Sequence, residues 1–165
     1  MSSGRVGVSG ARAPVAWPAV STDLIERWSA AAQAYLDGDL RTYARLAHHT
    51  ADYTLIPPNG GDPRHGFDGS DEAVAWTAQT FRGGSVDLEV FHSYVDGDLA
   101  VLVAVERQQA TIADLPDQEW SLRITLVFRR EDGEWRLVHR HADPLTRPIE
   151  PGLFAALARG EHAVG

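Results

Sequence analysis

Four long β-rich stretches in a row make up the second half of the chain, and nothing else in the sequence restricts the fold as much. Residues 86–95 (VDLEVFHSYV), 99–111 (LAVLVAVERQQAT), 119–130 (EWSLRITLVFRR) and 134–142 (EWRLVHRHA) are each dense in β-branched and aromatic side chains. The Asp96–Gly97 pair and the Glu131–Asp132–Gly133 turn leave gaps too short for anything but hairpins. A longer loop, residues 112–118 with Pro116, joins the middle pair. Consecutive strands joined this way form an antiparallel meander.

The first half reads as helices. From Ser21, Leu24, Trp28, Ala31 and Tyr35 recur at helical spacing with Ile25, Ala32 and Leu36 beside them. Ser21 or Thr22 caps the start, and Gly38 ends the helix. Asp39 caps a second, short helix whose buried face is Leu40, Tyr43, Leu46 and Ala47. Residues 52–56 read as a first strand, stopped by Pro57 and Pro58. Ser70 caps a third helix that Gly83–Gly84 closes. Helices first and a meander second predict an α+β fold with the helices on one face of a curved antiparallel sheet.

Residues 1–18 are small, Gly/Ser-rich and interrupted by proline, and read as a disordered arm. The domain proper is expected over 19–147 and a tail over 148–165, with a turn of helix at 152–158. No apolar stretch reaches the length of a signal-peptide core or a membrane span, which predicts a cytoplasmic protein.

The strands carry apolar residues on both faces. One face of 120–128 reads Trp120, Leu122, Ile124, Leu126, Phe128; the other reads Ser121, Arg123, Thr125, Val127, Arg129. Strict alternation in the last strand places Trp135, Leu137, His139 and His141 together, opposite Arg136, Val138, Arg140 and Ala142. The helices cover one sheet face, and a second copy of the chain is expected to cover the other, giving a homodimer.

Composition excludes several chemistries. The chain lacks cysteine and lysine, which removes thiolate nucleophiles, disulfides, Schiff bases and the phosphate-loop lysine. A net charge of −8 argues against nucleic acid. No Gly-x-Ser-x-Gly elbow or dinucleotide fingerprint occurs.

The chemistry-bearing candidates are polar residues inside apolar strands: Glu106, Arg123, Thr125, His139, Arg140 and His141. A buried charge must be paired or face a wet cavity. Glu106 and Arg123 on neighbouring strands therefore read either as an internal ion pair or as the polar floor of a ligand cavity. His139 and His141 are the proton carriers suited to neutral pH and the expected catalytic residues. With Asp143 they also have the alternation of a facial metal triad, although no distant third ligand completes it, and no metal is expected. Tyr53 and Trp76 read as core residues or as walls of the same cavity. His48–His49 reads as a charged helix end.

The element order, together with LDGDLRTYARL, ADYTLIPPNGG and VFRREDGEWRLVHRHADPL, resembles the nuclear transport factor two-like superfamily over residues 20–147. It is most similar to the bacterial SnoaL-like and ketosteroid-isomerase-like branch. The closing strand–Glu-Asp-Gly-x-Trp–Val-His-Arg-His stretch is also similar to the association hub of calcium/calmodulin-dependent kinase. The resemblance implies a cone-shaped, cystatin-like α+β barrel with a pocket inside the cone and a dimer through the outer sheet face. It carries the steroid-isomerase positions onto Ala31, Pro58 and Thr125, none of which is an acid or base, and the polyketide-cyclase acid onto Arg140. The hubs line their cavity with arginines, as Arg123 and Arg140 would here.

Together these readings predict a small-molecule-binding protein with an Arg/His/Glu pocket floor suited to a carboxylate or enolate-like oxygen. Its expected reaction class is cofactor-free isomerisation, cyclisation or dehydration beside a carbonyl. The alternative is a non-catalytic association or ligand-sensing module.

Overall fold

A computed structural model describes residues 18–161. Of the expected disordered arm, residues 1–17 lie outside that range, as does His162.

Helix α1 (Thr22–Leu36) starts where Ser21 accepts a hydrogen bond from the Leu24 amide, and α2 (Leu40–Ala47) starts where Asp39 accepts from Thr42. Strand β1 (His49–Ile56), the two-residue β2 (Arg64–His65) and helix α3 (Asp71–Thr80) follow. Next come β3 (Phe81–Asp96), β4 (Leu99–Ile112), β5 (Gln118–Glu119), β6 (Leu122–Glu131) and β7 (Glu134–Pro144). Helix α4 (Pro151–Ala158) ends the described chain, with Leu153, Phe154 and Leu157 exposed.

The sheet order is β2-β1-β7-β6-β4-β3, with β5 beside β4. The fold is α+β, with the N-terminal helices against a curved sheet that does not close. The meander is antiparallel from β3 to β7, as the hairpin turns require. β1 adds to β7 in parallel, so the whole sheet is mixed. Asp132 and Gly133 both take positive φ, 53° and 83°, which lets β6 turn directly into β7.

Three boundaries differ from the sequence reading. β1 begins three residues earlier, because His48 takes the left-handed C-cap of α2 and His49 opens the strand. The 119–130 stretch is two strands, broken at Trp120–Ser121. Gly83–Gly84 does not end a helix: α3 stops at Thr80 and β3 runs through both glycines. A Cβ on Gly84 would collide with the Gln109 backbone of β4, so close strand approach explains that residue.

The core lies between the concave sheet face and the helices. Trp28, Ala31, Ala34 and Tyr43 pack against Leu102, Ala104, Ile124, Leu126, Phe128 and Leu137. Trp28 meets Tyr43 and Phe128 edge-on at centroid distances of 6.1 and 6.4 Å.

One irregularity decides which residues share a face. Val127 of β6 pairs with His139, but the next residue, Phe128, pairs with Leu137. Val138 is therefore an extra residue, a β-bulge that inverts the alternation of β7 beyond it. Leu137, Arg140 and Ala142 consequently lie on the concave face, and His139, His141 and Asp143 on the convex one.

Candidate functional site

Glu106 stands in β4 after Ala100, Leu102 and Ala104, and alternation carries all four onto the concave face. Its carboxylate is 1% exposed. Three donors satisfy it: Trp28 Nε1 to Oε1 at 2.9 Å, Gln108 Nε2 to Oε2 at 3.0 Å, and Arg140 Nη2 to Oε2 at 3.0 Å. The bulge delivers Arg140 to this point. Without it, the guanidinium would project from the other side of the sheet.

The Arg140 side chain is 14% exposed, so the pair is shielded but not sealed. Burial alone would lower its pKa. The negative charge of Glu106 and the nearby Tyr43 and Tyr53 outweigh that effect and hold it above the ordinary arginine value. A guanidinium offers more N–H donors than the one that reaches Glu106.

Three tyrosines surround the pair from α1, α2 and β1. Tyr35 and Tyr43 meet edge-on at 5.2 Å, and the Tyr43 and Tyr53 hydroxyls are hydrogen-bonded. Burial pushes Tyr53 up to about 12 and raises Tyr35, and Tyr43 further. All three are neutral phenols at pH 7, able to donate a hydrogen bond to an oxygen carrying developing charge.

Glu106, Arg140 and Tyr53 are thus brought together, and the other sequence candidates are not. Arg123 pairs with Asp143 at 3.0 Å on the convex face, so the expected Glu106–Arg123 pair does not form. His139 Nδ1 lies 2.8 Å from Thr54 Oγ1, and Thr125 stands in register with exposed His141 on that same face. Burial, then the neighbouring His141, lowers the His139 pKa. His139, His141 and Asp143 do not converge on a metal position, and no metal-holding group of three His, Asp or Glu occurs among the described residues. Trp76 is 56% exposed on α3, against Phe81 at 6.0 Å, and is not core. His49 is not a charged helix end: it is stacked on Phe67, and burial lowers its pKa to about 4.

Trp28, Gln108, Tyr35 and Tyr43 were not among the sequence candidates. A signal for Trp28 existed, since a tryptophan on an apolar helix stripe needs a buried acceptor for its indole N–H. Glu106 is that acceptor.

Comparison with known proteins places the fold. A structure from Streptomyces avermitilis, a candidate dehydratase of the NTF2-like family, is 24% identical. It covers 76% of this chain and 95% of its own, with a TM-score of 0.60. An NTF2-like superfamily protein from Salmonella enterica serovar Typhimurium is 19% identical over 79% and 92%, with a TM-score of 0.63. The CaMKII hub of S. rosetta is 20% identical over 79% and 98%, with a TM-score of 0.61. Curated proteins give no match. The SnoaL-like domain profile matches residues 23–145, the span from α1 to the end of β7, and the chain belongs to that family.

Proposed function

We propose that this protein binds a small molecule on the concave face of the cone, with Arg140 as the anchor for a carboxylate or carbonyl oxygen. The observation that carries this reading is the Arg140–Glu106 pair itself, a charged pair held among three neutral tyrosines with the guanidinium still partly accessible. An ion pair in such a place is weak evidence for stability and better explained by a ligand that uses it. The reading that goes furthest is a cofactor-free isomerase, cyclase or dehydratase, in which Tyr43, Tyr53 and Arg140 stabilise an enolate-like oxygen. The candidate dehydratase among the structural relatives supports that reaction class. Among the described residues no free proton carrier stands beside the pair: both oxygens of Glu106 are engaged by donors, and His139 and His141 lie across the sheet.

Titration calorimetry with a panel of small keto acids, such as acetoacetate, tests it. Arg140→Met should weaken any binding by about 2–3 kcal/mol, the worth of a charge-assisted bond plus an unpaired partner. Arg123→Met and His141→Ala, on the convex face, should leave it unchanged. Equal affinity in wild type and Arg140→Met, or loss with the convex-face variants, overturns the assignment.

Self-association is the second reading, and one observation favours it. Val101, Val103, Val105 and Val127 alternate with the buried concave-face residues and are themselves only half buried. We infer a cytoplasmic homodimer through that face, consistent with the hub among the structural relatives.

A further inference from the structure

Among the described residues, two buried side-chain nitrogens have no hydrogen-bond partner, His49 Nε2 and Arg136 Nε. Native proteins rarely leave such groups unpaired, and each asks for an explanation. Both residues line one cavity of about 720 Å³, where α2 ends, β1 and β7 begin, and Gly66–Phe67 passes. It is a cleft open to solvent on one side, of a volume within the small-molecule range. Trp28, Glu106 and Arg140 have no part in its wall.

Arg136 forms an ion pair with Glu131 but makes no hydrogen bond through its Nε. Glu131 Oε2 is 3.9 Å from Arg136 Nε, beyond hydrogen-bond reach, while Glu131 Oε1 accepts from Arg129 at 2.8 Å. Glu134, also on the wall, faces His48 Nδ1 at 3.3 Å. His49 stacks on Phe67 at 4.0 Å with the rings 13° apart. A half-turn of that imidazole moves its nitrogens while keeping the stack. Both residues are part-buried and line the cavity. At neutral pH the ring is uncharged, with one N–H and one lone pair to offer.

We propose that this cleft is a second binding site, for a small molecule carrying a carboxylate or carbonyl oxygen on a compact, flat apolar body. The oxygen accepts from the Arg136 guanidinium, His49 makes the second polar contact, and the body rests on Phe67, Ala44 and Ala51. The proposal is independent of the reading of the cone.

NMR titration of ¹⁵N-labelled full-length protein with sodium benzoate, and separately with benzamide, tests it. Saturable shifts at Thr50, Gly66 and Phe67 and in the His49 ring nitrogens are expected with at least one probe. Tighter binding of benzoate identifies a carboxylate site, and tighter binding of benzamide a neutral carbonyl site; either supports the proposal. Arg136→Met should weaken the effect about tenfold or more, as loss of a charge-assisted hydrogen bond does. The wild-type shift map decides the location even if that variant does not fold. No saturable shift at these residues up to ~50 mM, well above a millimolar dissociation constant, overturns the proposal. So does unchanged affinity in a folded Arg136→Met. Shifts confined to Trp28, Tyr53 and Glu106 overturn it too, while supporting the separate site in the cone.

Discussion

Glu106 and Arg140 hold each other in place at the residue scale, and removing either leaves the other desolvated. Glu106→Ala should therefore cost about 3–5 kcal/mol of stability, the range for breaking a buried pair. The double replacement Glu106→Leu with Arg140→Met should recover most of that loss, because no charge is then stranded. Urea unfolding of the three proteins checks both statements; a double variant as unstable as the single one would show that packing, not charge, sets the cost. His49 gives a pH signature. Its folded-state pKa, about 4, lies below the 6.5 of an unfolded imidazole, so the unfolded state binds more protons between these values. Stability from this residue is complete above pH 6.5 and is lost as pH falls towards 4, with a slope of at most about 1.4 kcal/mol per pH unit. His49→Gln should flatten the wild-type decline across that window, and an unaltered slope would place the titration elsewhere. Polar side chains inside apolar strands made Glu106 and Arg140 legible as candidates, because burying a charge needs a reason. The partner was not legible: Arg123 and Arg140 differ only in which face they occupy, and one residue of register decides that.

The deciding element is β7, and within it Val138. Turn chemistry made the meander readable, since Asp132–Gly133 can hardly do anything but reverse the chain. Nothing local marks the bulge, which arises from pairing with β6 and has no glycine or proline to announce it. Nor does the sequence announce the parallel pairing of β1 with β7, whose partners, such as Thr54 and His139, are far apart in the chain. Deleting Val138 should remove the bulge while leaving Leu137 and Arg140 on the concave face and His139 and His141 on the convex one, because His139 already pairs with Val127 directly after Leu137 pairs with Phe128. We expect a cooperative transition to survive that deletion, because Glu106 keeps Arg140 as its partner. Val138→Ala, which keeps the bulge, should cost less than about 1.5 kcal/mol for a half-buried side chain. Circular-dichroism melts check both; loss of a cooperative transition in the deletion variant would show that Arg140 needs the bulge to reach Glu106.

For the whole molecule, the helices fill one side of the sheet and leave valines half covered on the other. A dimer through that face predicts a sedimenting species at about twice the 18.0 kDa chain at micromolar concentration. A clean monomer would leave the convex face without a partner. The same division of the sheet separates a concave side built around Arg140 and Glu106 from a convex side holding Arg123, His139 and His141. A crystal structure of the protein grown with a keto acid that binds in calorimetry tests this division most directly. Ligand density should lie on the concave side, with an oxygen within hydrogen-bond distance of Arg140 and the ring of Tyr43 or Tyr53 against it. Density on the convex face, touching His139, His141 or Arg123 and leaving the Arg140–Glu106 pair undisturbed, would contradict it.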